Sequence, residues 1–266
     1  MAVDLAVLVR DLQAETAELQ RHLTPLVEAQ WSSPTPAEGW AIRDQVSHLA
    51  FFDDAATLAA TDPDRFRSER DAAVADVDGF TESIAQRSRA LSVDALTSWF
   101  REARATMINA LGSLDPKHRV PWYGPDMSIA SAFTARVMET WAHGQDVIDA
   151  LGGEHAPTAA LRHVCEIGVR TLPNSYLTRG LAVPDVPVRV ALVAPGGDVW
   201  TWGPEEAGDV VTGPAVDFCL VVTQRRHVDD TALVPTGTVA VEWMHIAQAF
   251  AGPAGRGREP GASHGR

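Results

Sequence analysis

The sequence predicts an α+β chain: a helical bundle over residues 1–155, a helix and linker over 156–185, and a small mixed α+β domain over 186–251. Three observations carry this expectation. Up to about residue 151, apolar side chains recur three or four apart, the period of a helix that buries one face. After Pro184 the period falls to two and valine becomes frequent, as in VPVRVALVA (186–194), the pattern of a half-buried strand. From residue 252 the chain reads GPAGRGREPGASHGR, a Gly- and Pro-rich tail (252–266) expected to be disordered.

In chain order, Leu5, Leu8, Leu12, Leu19 and Leu23 form the apolar stripe of a first helix over 4–23, which Thr24-Pro25 bends or ends. Pro34, Pro36 and Gly39 mark a loop. A second helix runs from about 41 to 60 and stops near Pro63, and the charged stretch 65–91 is solvent-facing helix or loop. Leu96, Trp99, Phe100, Ala103, Met107 and Leu111 give a third bundle helix over 93–113. Residues 115–125 read as a loop. The next helix, 127–151, takes Asp126 or Ser128 as its N-cap and closes at Gly152-Gly153.

A further helix fits 159–174. In the second domain, 186–194 and DVWTWG (198–203) flank Gly196-Gly197 as a β-hairpin, and Val210–Thr212 is a short strand. AVDFCLVVT (215–223) opens after Gly213-Pro214 and reads as helix. Thr238–Val241 fits a last strand, and 243–251 a terminal helix.

Composition narrows the function. With 45% hydrophobic residues, 266 residues can bury one large core or two modest ones. The net charge of −13, with only 22 basic residues spread along the chain, argues against a nucleic-acid partner. No apolar run reaches the roughly 18 residues of a membrane span. The acidic, amphipathic start MAVDLAVLVRDLQAE has no basic leader and no cleavage site, so the expectation is a cytoplasmic protein. The two cysteines, Cys165 and Cys219, lie far apart among apolar neighbours and read as inert core thiols, so a thiol used in chemistry would have to be brought in.

Chemistry concentrates in METWAHGQDVIDAL (138–151). Glu139 and His143 are four apart, so a helix places both on one face. His48, in RDQVSHLAFFDD (43–54), could come from another helix. Two His and one Glu around an open position is the ligand set of a catalytic zinc site. The same spacing also suits an ordinary hydrogen-bonded pair, and His48 among apolar neighbours also suits a core histidine.

The segments WSSPTPAEGWAIRDQVSHLAFFDDAA (31–56) and VPWYGPDMSIASAFTARVMETWAHGQDVIDALG (120–152) favour the metal reading. They carry Trp, Pro-Thr-Pro, Gly-Trp, Arg-Asp and His-Leu, then Pro-Trp-x-Gly-Pro and Glu-x-Trp-x-His-Gly-x-Asp. In these motifs the chain resembles the mycothiol-dependent maleylpyruvate isomerase family, and the likeness extends through FCLVVTQRRHVDD (218–230). The resemblance implies a DinB-like up-down helical bundle followed by a sterol-carrier-like domain. It also implies a divalent metal, usually zinc, on His48, Glu139 and His143, with mycothiol or a similar thiol as co-substrate. In such chemistry a thiolate adds to an electron-poor double bond, the adduct rotates, and elimination gives the other isomer.

The family's Thr-Gly-Arg turn, whose Arg contacts substrate, corresponds to Thr223-Gln224-Arg225. Gln in place of Gly puts the turn's backbone in question. Arg225 is the residue assigned to an anionic group, with Arg226 in reserve. Asp44 and Asp146 are candidates to orient the metal-binding histidines. Arg136 could neutralise a carboxylate in the bundle, and Trp122, Tyr123 and Trp141 are expected at the mouth of the cleft.

The function expected is isomerisation or S-transfer on a small electrophilic, anionic substrate. A non-catalytic, metal-containing protein holding an apolar ligand in the second domain is the alternative. Monomer and homodimer both remain open.

Overall fold

The computed structural model describes residues 4–75 and 77–261. It divides into two compact units, Met1–His155 and Ala156–Arg266. In the first, α1 (Leu5–Leu23), α2 (Ile42–Thr61), α5 (Val93–Gly112) and α6 (Ile129–Leu151) form a bundle in which α2 packs on α5 and α6, and α6 packs on α1. The stretch expected as solvent-facing helix or loop holds α3 (Pro63–Ala75) and α4 (Val77–Arg89). The core at the α1–α2–α5 junction joins Leu19, Leu23, Trp31, Ile42, Val46, Leu49, Leu96 and Phe100, which are the apolar faces the periodicity picks out.

The ends are capped as short polar side chains dictate. Asp4 accepts from Ala6 N, Ser92 from Ala95 N and Ser128 from Ser131 N, so Ser128 is the N-cap of α6. Gly152 closes α6 at φ 66°, a left-handed conformation that costs glycine nothing. The loop before α6 also holds a two-residue ladder, β1 (Arg119–Val120) with β2 (Met127–Ser128).

The Arg-Asp pair at the start of α2 is structural. Arg43 donates to the carbonyls of Ser88 and Leu91 at the end of α4. The Asp44 carboxylate accepts from Ala41 N, from Ser88 Oγ and from Arg89 Nη2. These bonds fix the end of α4 to the start of α2.

In the second unit, α7 (Leu161–Arg170) and α8 (Leu172–Leu177) precede a four-stranded sheet of order β4-β3-β5-β6. β3 (Val188–Val193) and β4 (Val199–Trp202) form the expected hairpin, with Gly197 at φ 89° in its turn. β3 runs parallel to β5 (Asp209–Pro214), and β5 is antiparallel to β6 (Val234–Thr236). Val190 and Leu192 bury one face of β3, as its alternation requires. α9 (Ala215–Val222) follows Pro214 directly. α9 lies so close to α7 that a Cβ at Gly168 would come within 2.9 Å of Phe218 and Val222.

Several local expectations change: the helix expected over 159–174 is two, α7 and α8, and the terminal helix expected over 243–251 ends at Ile246. Thr238–Val241 is the first part of α10 (Thr238–Ile246), not a strand; the last strand is the shorter Val234–Thr236. Propensity misled here because β-branched residues also fill a helix that is packed by its neighbours. The tail differs as well. Gly255 N donates to Gln248 Oε1, Arg179 Nη2 donates to Gly255 O, and Gly261 N bonds the Asp230 carboxylate. Residues 252–261 are thus tied to the second unit, while 262–266 lie outside the described residues.

Cys165 and Cys219, 54 residues apart in sequence, are free and buried with their sulfurs 3.5 Å apart across the α7–α9 contact. Among the described residues, no helix is long and apolar enough to cross a membrane.

Candidate metal centre

α2 and α6 bring the three candidate ligands together. His48 Nε2 lies 3.2 Å and His143 Nε2 3.1 Å from the same Glu139 oxygen, Oε2. The three ligand atoms lie within 4.8 Å of one another. The side chains of His48, Glu139 and His143 are 19, 20 and 11% exposed, so the cluster is enclosed without being sealed from an incoming ligand.

Electrostatics favour the ligand forms. Burial, reinforced by the neighbouring His143, lowers the His48 pKa from 6.5 to about 4, so its imidazole is neutral at pH 7. Burial pushes the Glu139 carboxyl up, but the two histidines within hydrogen-bond distance, His143 first, outweigh it and hold the group well below its ordinary value.

A relay of hydrogen bonds fixes His143. Thr35 Oγ1 donates to the Trp40 carbonyl at 2.9 Å. Its lone pair therefore accepts from Gln45 Nε2, also at 2.9 Å. That fixes the amide with Oε1 towards His143, where Nδ1 donates to it. In the neutral ring this leaves the lone pair of His143 on Nε2, aimed at the Glu139 carboxylate. Two electron-pair donors facing each other is the arrangement that a cation between them satisfies. A neutral imidazole with its other nitrogen held by an oxygen is the usual form of a histidine metal ligand. The residues therefore fit a divalent metal. Gln45, not Asp44, orients His143, because Asp44 is committed to the α2 cap and to Arg89.

Aromatic rings surround the cluster. Trp40 lies 5.9 Å from His143 at an interplanar angle of 19° and 5.4 Å from His48. Phe52 is 4.6 Å from His48 and continues into a group with Trp122 and Tyr123. Trp141, expected with them, is buried and stacks on His155 instead. The missing member, Trp40, was visible as the Gly-Trp pair just ahead of α2.

Below the cluster, Arg136 Nε donates to Asp53 Oδ1 at 2.9 Å and Arg104 Nε to Asp53 Oδ2 at 2.6 Å. Burial pushes the Arg104 pKa down and Asp53 opposes it. Arg136 thus neutralises a carboxylate inside the bundle, as its position suggests.

The chain is similar to known proteins. A family model described as the mycothiol maleylpyruvate isomerase N-terminal domain matches residues 12–148. The chain belongs to this family. Two uncharacterized proteins of Mycobacterium tuberculosis, from different strains, are each 43% identical over 94% of this chain and 97% of their own length. Crystal structures of the mycothiol-dependent maleylpyruvate isomerase and of a histidine-to-alanine mutant of it resemble the chain at 18% identity and TM-score 0.58. Each match covers 89% of this chain and 97% of the other. At that identity they show a shared fold. A second model, described as wyosine base formation, matches residues 184–236.

At Thr223-Gln224-Arg225 the chain turns sharply after α9. Gln224 sits at φ 60°, where glycine is normally needed. Its Nε2 donates to the Ala247 carbonyl at 3.0 Å, which helps hold the turn. The amides of Arg225 and Arg226 bond the Leu220 carbonyl at the end of α9. The Arg225 side chain is half-buried, with Nη1 on the Thr223 carbonyl.

Proposed function

We propose that this family member is a divalent-metal-dependent enzyme that uses a low-molecular-weight thiol, of the mycothiol type, for isomerisation or S-transfer on a small electrophilic, anionic substrate. The convergence of His48 Nε2, Glu139 Oε2 and His143 Nε2, with the His143 tautomer fixed by Gln45, carries this reading. When bound, zinc or another divalent metal lowers the pKa of a thiol and makes the thiolate available at neutral pH. His48 and His143 supply neutral nitrogen donors, and Glu139 supplies the negative charge that partly offsets the cation. Cluster membership stops at three residues among the described ones, which leaves room for an exchangeable ligand, whereas a structural zinc site is closed by four protein ligands. Trp40 and Phe52 exclude water from one side of the imidazoles.

The test is thiol consumption with a panel of electrophiles, with and without a chelator. Turnover that the chelator abolishes and added metal restores is expected. A metal-loaded protein that consumes no thiol with any electrophile would favour a binding protein instead.

Arg225 is assigned to an anionic group of the substrate or thiol. Its guanidinium can grip a carboxylate with two parallel hydrogen bonds. Arg225→Ala should slow turnover roughly 30-fold to several-thousand-fold, the usual cost of losing a charge-assisted pair. Arg225→Lys should recover only part, and metal content should not change. Wild-type rates in Arg225→Ala would remove the role.

A further inference from the structure

The second unit contains a cavity of about 160 Å³ with a different chemistry. Arg179, Arg226, Arg256, Arg258, His227 and His245 line it. Four of the 22 basic residues of a chain with net charge −13 therefore face one small space. They arrive from separate parts of the chain: Arg179 from beyond α8, Arg226 from the turn after α9, and Arg256 and Arg258 from the tail. Glu259 is the acidic residue among the lining groups, Asp229 stands beside His227 at 3.4 Å, and the Asp230 carboxylate holds the tail at Gly261, so arginines outnumber carboxylates in the lining itself.

Arg179 donates to the carbonyls of Ser175 and Gly255, which are neutral partners, and burial lowers its pKa. The bond to Gly255 also holds the tail in place over the cavity. His227 accepts from Asp229 N through Nδ1, so its remaining nitrogen, Nε2, carries the proton and can donate. Guanidinium groups that line one cavity repel one another, and an oxyanion between them relieves that repulsion.

We propose that this cavity binds a compact phosphate-type oxyanion, either inorganic phosphate or the phosphate group of a small molecule. The tail acts as a strap that supplies two of the arginines. Cations approaching from several chain segments suit a tetrahedral group with acceptors on all sides, whereas a planar carboxylate is satisfied by a single guanidinium fork. The volume fits a phosphate with little organic substituent. The inference does not rest on the thiol-dependent reading.

His227, Asp229 and His245 could also be read as a cation site, since their ligand atoms cluster within 4.8 Å. The surrounding guanidinium groups argue against a divalent cation there.

Calorimetric titration of the full-length protein at low salt, with inorganic phosphate, glycerol 3-phosphate and malonate, tests the assignment. One saturable site for a phosphate compound is expected, and the tighter of the two phosphates identifies the source. Arg226→Gln should weaken binding roughly tenfold, and Arg256→Gln with Arg258→Gln roughly 100-fold, by loss of charge-assisted hydrogen bonds. Circular dichroism should be unchanged, because the tail substitutions are outside both cores. The absence of saturable binding, or tighter binding of malonate, would overturn the phosphate site. Unchanged affinity in the tail variant would overturn the strap. Phosphate binding that requires added Zn²⁺ and is lost in His227→Ala alone would assign the cluster to a metal.

Discussion

Two polar clusters lie between α2 and α6, and they differ in what they leave open. Asp53 and Arg136 form one with Arg104, and both carboxylate oxygens of Asp53 meet a guanidinium donor. Arg104 Nη1 reaches Thr16 Oγ1 and Nη2 reaches Thr140 Oγ1, while Arg136 Nη2 reaches the Leu49 carbonyl. Asp53 is fully buried, and both arginines are nearly so. His48, Glu139 and His143 form the other, one helical turn along, with three possible metal-ligand atoms converging and a path to solvent. A closed buried network fixes how helices meet, and a convergent open one can bind. The two clusters differ in charge and in exposure, and the pairing of donors with acceptors is what marks one as a structural link between helices and the other as open to a ligand.

Removing one partner from the closed cluster should have the largest effect. Asp53→Ala leaves two buried guanidinium groups without their carboxylate and should cost about 3–5 kcal/mol. His48→Ala in metal-free protein should cost only about 1 kcal/mol, yet it should lose most of the bound metal. Urea unfolding and elemental analysis of the two variants check both halves. Equal destabilisation, or full metal content in His48→Ala, would erase the distinction. Replacing Asp53, Arg104 and Arg136 together by apolar residues of similar volume should restore much of the stability.

Acid should separate the clusters next. In metal-free protein the folded His48 pKa of about 4 lies below its ordinary 6.5. Unfolded chains therefore bind the proton first, and stability is lost as pH falls through that window, by up to roughly 3 kcal/mol. Glu139, also depressed, extends the loss below its ordinary 4.5. Urea midpoints measured between pH 7 and 4 should slope in the wild type and flatten in His48→Ala. A slope that survives the substitution would have to come from another group.

What could be read from the sequence follows the same division. The Glu139–His143 pair is local to one helix, and its spacing alone puts both on one face. His48 needed a second helix, and the motif around it supplied that. The partner of Arg136 was not legible, because Asp53 is 83 residues away and no local period links them. The contact between Cys165 and Cys219 was hidden for the same reason. The β-hairpin was legible because both its strands and its turn are contiguous, whereas the last strand was placed four residues late, on the valine and threonine that open α10. The Gly-Pro-rich tail looked like disordered chain because composition records the lack of apolar burial, and it is silent about hydrogen bonds from Arg179 and Gln248.

The smallest predicted effect bears on how the open cluster is kept open. Gln45 is fully buried, touches no metal-ligand atom directed at the centre, and holds only the far nitrogen of His143. If its amide fixes that tautomer, Gln45→Ala should leave the helical content intact and weaken zinc binding by about 10- to 100-fold, as for other groups that orient a metal-bound histidine. Thr35→Ala should weaken it less, because Gln45 would lose a restraint and keep its acceptor. Gln45→Glu is the discriminating variant: a carboxylate still accepts from Nδ1 and makes the imidazole a stronger donor, so zinc affinity should return while the buried charge lowers stability. Competition against a chromophoric chelator reads the affinities, and urea unfolding reads the stability. Wild-type affinity in Gln45→Ala would mean that packing against Trp40 alone orients His143. Equal loss in Ala and Glu variants would mean that Gln45 serves the fold, and the line between the closed and open clusters would then have to be drawn closer to the ligands themselves.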